Sequence, residues 1–198
     1  MERQSTPSML AATDAIVLSL QPYSDKAHIL HAYTRTGGRV NYKVYGLGRK
    51  HAIGMYAPLS IVQITANHDA NKPPTVKETT PLSIFNFQFS PHKSAIALFI
   101  AEVLSHVLRH PMADEPMYDF IAQAIQELDR TDEPQNFHLV FLVNFAAKLG
   151  FAMEKEPTLP QTRKERQDTL KQLCDYFAEH VETWQNPRSL DVLIEVFN

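Results

Sequence analysis

The sequence predicts an α+β protein, a small five-stranded β-barrel followed by an all-helical part, with the change near residue 81. Three observations predict it. Before residue 81 the chain is made of short segments rich in Val, Ile, Thr and Tyr, separated by Gly and Pro. After it, apolar residues recur at helical spacing. The charge also changes: nine Lys/Arg accompany five Asp/Glu in residues 1–80, and ten accompany seventeen in residues 81–198. With 44% hydrophobic residues among 198, both parts can bury a core, which argues against global disorder.

The expected strands are DAIVLSLQPY, AHILHAYTRT, GRVNYKVYG, PLSIVQITANH and PPTVKETT, with turns at Gly37-Gly38, Gly46/Gly48 and Pro73-Pro74. Five short strands in about 70 residues suggest a closed or nearly closed barrel. In the third, Val40, Tyr42 and Val44 point one way and Asn41, Lys43 and Tyr45 the other, as a period of two requires. Ser90-Pro91 then starts a helix, a hydroxyl cap before a proline, and Ile96, Phe99, Ile100, Val103 and Val107 continue it. Pro116 opens a second helix, whose Met117, Phe120, Ile121, Ala124, Ile125 and Leu128 form one stripe. Pro134 opens a third, apolar on most of its circumference and closed by Gly150. EKEPTLPQTRKERQ reads as a loop, and a fourth helix carries Leu170, Leu173, Cys174, Phe177, Val181 and Trp184. Ser189 is expected to cap a short last helix. The domains expected are residues 1–80 and 81–198.

Several function classes find little support. One cysteine, Cys174, excludes an internal disulfide and suits a reducing compartment, so a cytoplasmic location is expected. MERQSTPSML lacks the apolar core of a signal peptide, and no run approaches the ~18 apolar residues of a membrane span. Glu102, His106 and His110, at i, i+4 and i+8 of the first helix, are the most enzyme-like set, since His pairs at i, i+4 can ligate zinc. No second helix offers a matching carboxylate–histidine motif, and ordinary helix-surface electrostatics explains the spacing as well. His28 and His31 lie three apart on a strand and so face opposite sides. No nucleophile elbow, phosphate-binding loop or dinucleotide fingerprint is present. The chain is therefore expected to be no enzyme, with no metal and no cofactor.

The stretch GRVNYKVYGLGRKH is more informative. It gathers Arg39, Lys43, Arg49 and Lys50 around Tyr42 and Tyr45, with Arg35 just before. Cations neutralise phosphates and exposed rings stack on bases of any identity, the pairing that sequence-tolerant nucleic-acid binding needs. A solvated hairpin with charges for solubility explains the spacing equally well. Five short strands fit the OB-fold, whose barrel binds oligonucleotides, and this favours the binding reading.

The whole chain also resembles the RecO family of bacterial DNA-repair and recombination mediators. The resemblance rests on collinear segments: TDAIVLSLQPYSDKAHILHAYTRTGGRV, YGLGRKH, APLSIVQI, KSAIALFIAEVLSHVLR, NFHLVFLVNFAAKLGF and SLDVLIEVF. It covers about Thr13 to Asn198 and is of the Bacteroidetes type. It implies an N-terminal OB-fold domain and a C-terminal helical domain. It also implies binding of single- and double-stranded DNA, strand annealing, and action with RecR to load RecA onto DNA coated by single-stranded DNA-binding protein. The helical domain would receive the C-terminal tail of that protein. Many members carry a four-cysteine zinc site after the Gly-Phe of the central helix; here Gly150-Phe151 is followed by no cysteine until Cys174, and the region looks shortened.

Carried over by residue, DNA binding falls to Arg35, Arg39, Lys43, Arg49 and Lys50, with Tyr45 as a stacking platform. Lys26, Lys72 and Lys77 come second, and Lys93, Arg109 and Lys148 are candidates for the partner tail. The location implied is the cytoplasm, associated with the nucleoid. The alternative function is a protein-interaction adaptor of the recombination machinery with weak or no intrinsic DNA binding, motivated by the acidic back half and the missing zinc region.

Overall fold

The computed structural model describes residues 9–47, 54–69, 72–83, 85–155 and 157–197. It divides into two compact units: Met1–Ile84 with Leu108–Tyr118, and Phe85–Val107 with Asp119–Asn198. The fold is α+β.

In the first unit, β1 (Met9–Ser24), β2 (Ala27–Thr34), β3 (Gly38–Tyr45), β4 (Ile61–Asp69) and β5 (Lys72–Pro81) form a closed barrel in the order β1-β2-β3-β5-β4. This is the OB-like arrangement expected. The long β1 makes closure possible by serving two neighbours. Met9–Ile16 pairs antiparallel with β4, while Ala15–Ser24 pairs with β2 and is bulged between Val17 and Ser19. A bulge bends a strand and strengthens its twist, which lets one strand turn the corner. The single parallel contact, Lys43 opposite Thr75, joins β3 to β5. Inside lie Leu30, Ala32, Tyr42, Val44, Val62 and Ile64. Tyr42 is only 1% exposed, and burial pushes its phenol up to about 12.

The second unit holds α1 (Pro91–Val107), most of α2 (Glu115–Arg130), α3 (Phe137–Lys148), α4 (Arg163–His180) and α5 (Leu190–Val196). Phe120, Phe141, Phe145 and Phe177 make a run of stacked rings at 5.5–6.4 Å in its core. Cys174 is buried on α4, and burial raises its thiol to about 11.

Three sequence expectations need correction here. The segment expected to be a loop contains the start of α4, because Thr162 and Glu165 form a capping box that satisfies the first turn. That helix stops at His180, so Val181 and Trp184 lie beyond it. Ser189 precedes α5 but its hydroxyl does not cap the helix; it donates instead to Glu102 Oε2 at 2.7 Å. The Glu102 carboxylate also accepts from the Arg188 and Ser189 backbone N–H groups at 2.8 and 2.9 Å. The cap thus comes from α1, far away in sequence.

Candidate nucleic-acid interface

Strand pairing sets out the barrel's outer face residue by residue. Across β2 and β3, Ala27 stands opposite Tyr45, Ile29 opposite Lys43, His31 opposite Asn41 and Tyr33 opposite Arg39. Period-two geometry puts all eight on one surface, with Leu30, Ala32, Tyr42 and Val44 on the other. The expected alternation of β3 is therefore present. The two ends of this surface differ.

At the end near the β1–β2 turn the face is open. Tyr23 and Tyr45 are 63% and 53% exposed. The Lys43 ammonium lies 5.0 Å from the centre of the Tyr23 ring, so a cation and an aromatic plane are held together. Lys26, in the turn, is exposed. Beside them, where β3 leaves the barrel, Asp25, Lys26, His28, Tyr45, Gly46 and Leu47 line an open depression of about 520 Å³. Gly46 has a φ of +76°, a left-handed turn that suits glycine.

At the β2–β3 turn the face is covered by Leu108–Tyr118. The Arg39 N–H donates to His110 O at 3.1 Å. Gly38 has a φ of +62°, and a Cβ there would overlap Met112 O and reach within 2.8 Å of His110 O. Arg35 stacks 4.5 Å from the centre of the Tyr118 ring and meets Glu115 at 4.0 Å. Burial, with Arg109 second, lowers Arg39 to about 10. Burial, then Asp114, raises Tyr33 to about 12. Between the ends, the His31 ring and the Asn41 side-chain amide are hydrogen-bonded through Nδ1 and Oδ1 at 2.6 Å.

The sequence candidates therefore separate. Lys43 and Tyr45 lie together at the open end with Lys26; Arg35 and Arg39 lie at the covered end. Arg49 and Lys50 fall outside the described residues. Lys72 and Lys77 are exposed on β5. Sequence reasoning did not single out Tyr23. It lies at the register irregularity between Pro22 and Ser24 on β1, and only the folded barrel brings its ring beneath Lys43.

Of the other candidates, Glu102 is occupied in capping α5, and His106 Nδ1 is bonded to Gln185 O at 2.8 Å. Burial of Glu102 raises its pKa, but the bonds from Ser189 and Arg188 and the nearby His106 outweigh it, and the net shift is downward. His110 is not on their helix, because α1 ends at Val107. Among the described residues no group of three His, Cys, Asp or Glu is placed to hold a metal ion. Lys93 donates to Asp129 O at 2.8 Å, and Lys148 lies 5.8 Å from the centre of the Phe120 ring. Arg109 is exposed. Among the described residues no helix is long and apolar enough to cross a membrane.

Comparison with known proteins places this fold. Residues 9–85 match the family described as Recombination protein O N terminal, and residues 88–156 match Recombination protein O C terminal. The DNA repair protein RecO of Christiangramia forsetii is 28% identical over 238 aligned positions, which span 96% of this chain and 100% of that protein. Because 238 exceeds the 198 residues here, that relative carries residues this chain lacks. The Porphyromonas gingivalis DNA repair protein RecO is 36% identical over 150 residues, 72% of this chain and 61% of the relative. That of Flavobacterium psychrophilum is 27% identical over 240 positions, 96% of this chain and 100% of the relative. With both halves of the family matched in order and the barrel-then-helices architecture in place, this chain belongs to the Recombination protein O (RecO) family.

Proposed function

We propose that this chain is a DNA repair and homologous recombination mediator. It binds single- and double-stranded DNA and anneals complementary strands. With RecR, it helps load RecA onto DNA coated by single-stranded DNA-binding protein, whose C-terminal tail the helical unit receives. The role is non-enzymatic and belongs to the nucleoid-associated cytoplasm. The relatives named DNA repair protein RecO support the coarse role. The observation that carries DNA binding is the cluster of Lys26, Lys43, Tyr23 and Tyr45 at the open end of a barrel whose β2–β3 surface is the usual ligand face of its fold. Lysines neutralise phosphates and exposed rings stack on bases, so affinity needs no particular sequence.

The test is anisotropy of a labelled single strand of about 30 nucleotides titrated with the protein across a salt series. If about four cations neutralise phosphates, log affinity falls against log salt with a slope near −3. Replacing Arg49 and Lys50 together by Ala flattens that slope by about 1.4 if both contact phosphates. Salt-independent or absent binding sinks the reading.

One observation favours a second reading, an adaptor of the recombination machinery with weak intrinsic DNA binding. The Arg35 guanidinium is engaged by Tyr118 and Glu115 of the chain's own 108–118 segment, and the Arg39 backbone is bonded to His110 there. Such an adaptor binds RecR or the tail of single-stranded DNA-binding protein while showing no salt-dependent affinity for DNA.

A further inference from the structure

We infer that the depression at the open end of the barrel is a pocket for one unpaired nucleobase, which makes this surface selective for single strands over duplex. The inference rests on the DNA-binding reading above and names what that site holds.

The depression has the size and lining for a base. Its volume of about 520 Å³ falls within the ~300–1,000 Å³ of small-ligand sites. Leu47, only 8% exposed, and the half-exposed ring of Tyr45 give it flat apolar surface. A heterocycle stacks on such a surface whatever its identity. The polar groups suit a base edge better than a phosphate. Asp25 and Lys26 stand side by side, an acceptor and a donor, and the Asp25 carboxylate repels a phosphate placed there. His28, which also lines the depression, has a buried Nδ1 with no hydrogen-bond partner among the described residues. Its orphan ring nitrogen can be satisfied through a ring flip once a base edge supplies a partner.

The phosphates have a separate place. Lys43 lies two residues before Tyr45 on the same strand face, about 6.6 Å along it. It is held above Tyr23, outside the depression. A strand with its phosphate at Lys43 therefore brings its next base to Tyr45 and the pocket. Bases in a duplex are paired and stacked, and none can enter without the cost of extrusion. Duplex is left with the phosphate contacts alone.

The experiment compares a thymidine strand of about 30 nucleotides with an equal-length strand of tetrahydrofuran abasic residues, using the unaltered protein at low salt. Both carry the same phosphates. The thymidine strand is expected to bind about 5- to 150-fold more tightly, the range of base–aromatic stacking. Tyr45→Ala and His28→Leu should each reduce that ratio by lowering affinity for the thymidine strand alone. Retained binding of the abasic strand shows that those variants are folded. Lys43→Ala should weaken both strands alike. Equal affinity of the unaltered protein for the two strands overturns the base pocket while leaving DNA binding intact. Binding of neither strand overturns the DNA-binding reading and the pocket together.

Discussion

At the β1–β2 end of the barrel's outer face, Tyr23 and Tyr45 are more than half exposed and Lys43 sits over a ring. At the β2–β3 end of the same face, Tyr33, Arg35 and Arg39 lie against the 108–118 segment. Both ends belong to one hairpin, carry cations and tyrosines, and look alike when the sequence is read locally. The difference comes from a stretch of chain far downstream. It teaches that a cation contributes to a binding surface only in proportion to what the protein itself leaves open. A guanidinium already stacked on Tyr118 and facing Glu115 must give up those contacts to take a phosphate. The Lys43 ammonium has a ring beneath it and can meet a phosphate without leaving the ring.

The sharpest way to break this comparison uses two glycines. Gly38 and Gly46 both have positive φ, at the covered and the open end respectively. An alanine in that region costs about 1–2 kcal/mol for conformation alone. At Gly46 no atom of the described residues lies within 4 Å of a Cβ, so Gly46→Ala is expected to cost only that amount. At Gly38 the backbone of Met112 and His110 blocks the same atom, so Gly38→Ala should cost more than about 2 kcal/mol. Chemical denaturation of the two variants measures this. Equal losses mean that the 108–118 segment does not press on the β2–β3 turn.

The next largest effect contrasts Lys43 with Arg39. Lys43→Ala should leave stability within about 0.5 kcal/mol of the parent. It should reduce the salt slope for single-stranded DNA by about 0.7. Arg39→Ala should leave the slope unchanged, because its guanidinium is partly buried at the covered end. A flattened slope for Arg39→Ala would show that DNA reaches the covered end.

Much of this arrangement was legible in the sequence. Alternating Val40, Asn41, Tyr42, Lys43, Val44 and Tyr45 carries the inward and outward faces of β3 by geometry alone, and the Gly and Pro punctuation marks the strand ends. Local rules failed where a distant partner decides the outcome. Ser189 resembles a helix cap, yet Glu102 from α1 supplies the acceptor. Glu102, His106 and His110 share a spacing, yet the helix ends before His110. RKERQ is so polar that it reads as a loop, yet the Thr162–Glu165 box that starts α4 there is itself a helix-start signal in the sequence. What lies against Arg35 and Arg39 is likewise set from a distance, since spacing reports which residues are near in the strand and not what covers them.

A smaller effect is expected from loosening the cover. Glu115→Gln removes a charge that lies 4.0 Å from Arg35, with both side chains partly or mostly exposed. Exposed pairs of this kind contribute about 0–1 kcal/mol, so stability should hardly move. With the Tyr118 ring still in place, affinity for single-stranded DNA should change by less than about threefold. A salt slope steeper by about 0.7 would instead mean that Arg35 joins the DNA contacts once its acid partner is gone.

The smallest effect locates the boundary between the two ends. His31 sits between them, bonded to Asn41, and its pKa lies below 6.5. Burial is the main cause; the Asn41 bond opposes it and Arg39 adds to it. A histidine with a depressed folded pKa contributes stability that is full above its unfolded value of 6.5. That contribution is lost as pH falls below 6.5 toward the folded value. His31→Asn should remove this part of the acid sensitivity. DNA alters the balance through its charge, because a phosphate near the ring favours the imidazolium and raises the pKa. The phosphate next along the strand from Lys43 would lie close to His31, since Lys43 and Asn41 are adjacent positions on the same face of β3. The His31 titration, followed by NMR, is therefore expected to shift upward when single-stranded DNA is added, and binding should tighten slightly as pH falls through this range. An unmoved midpoint confines the DNA to Lys43, Tyr45 and the pocket, and leaves the middle of the face outside its path.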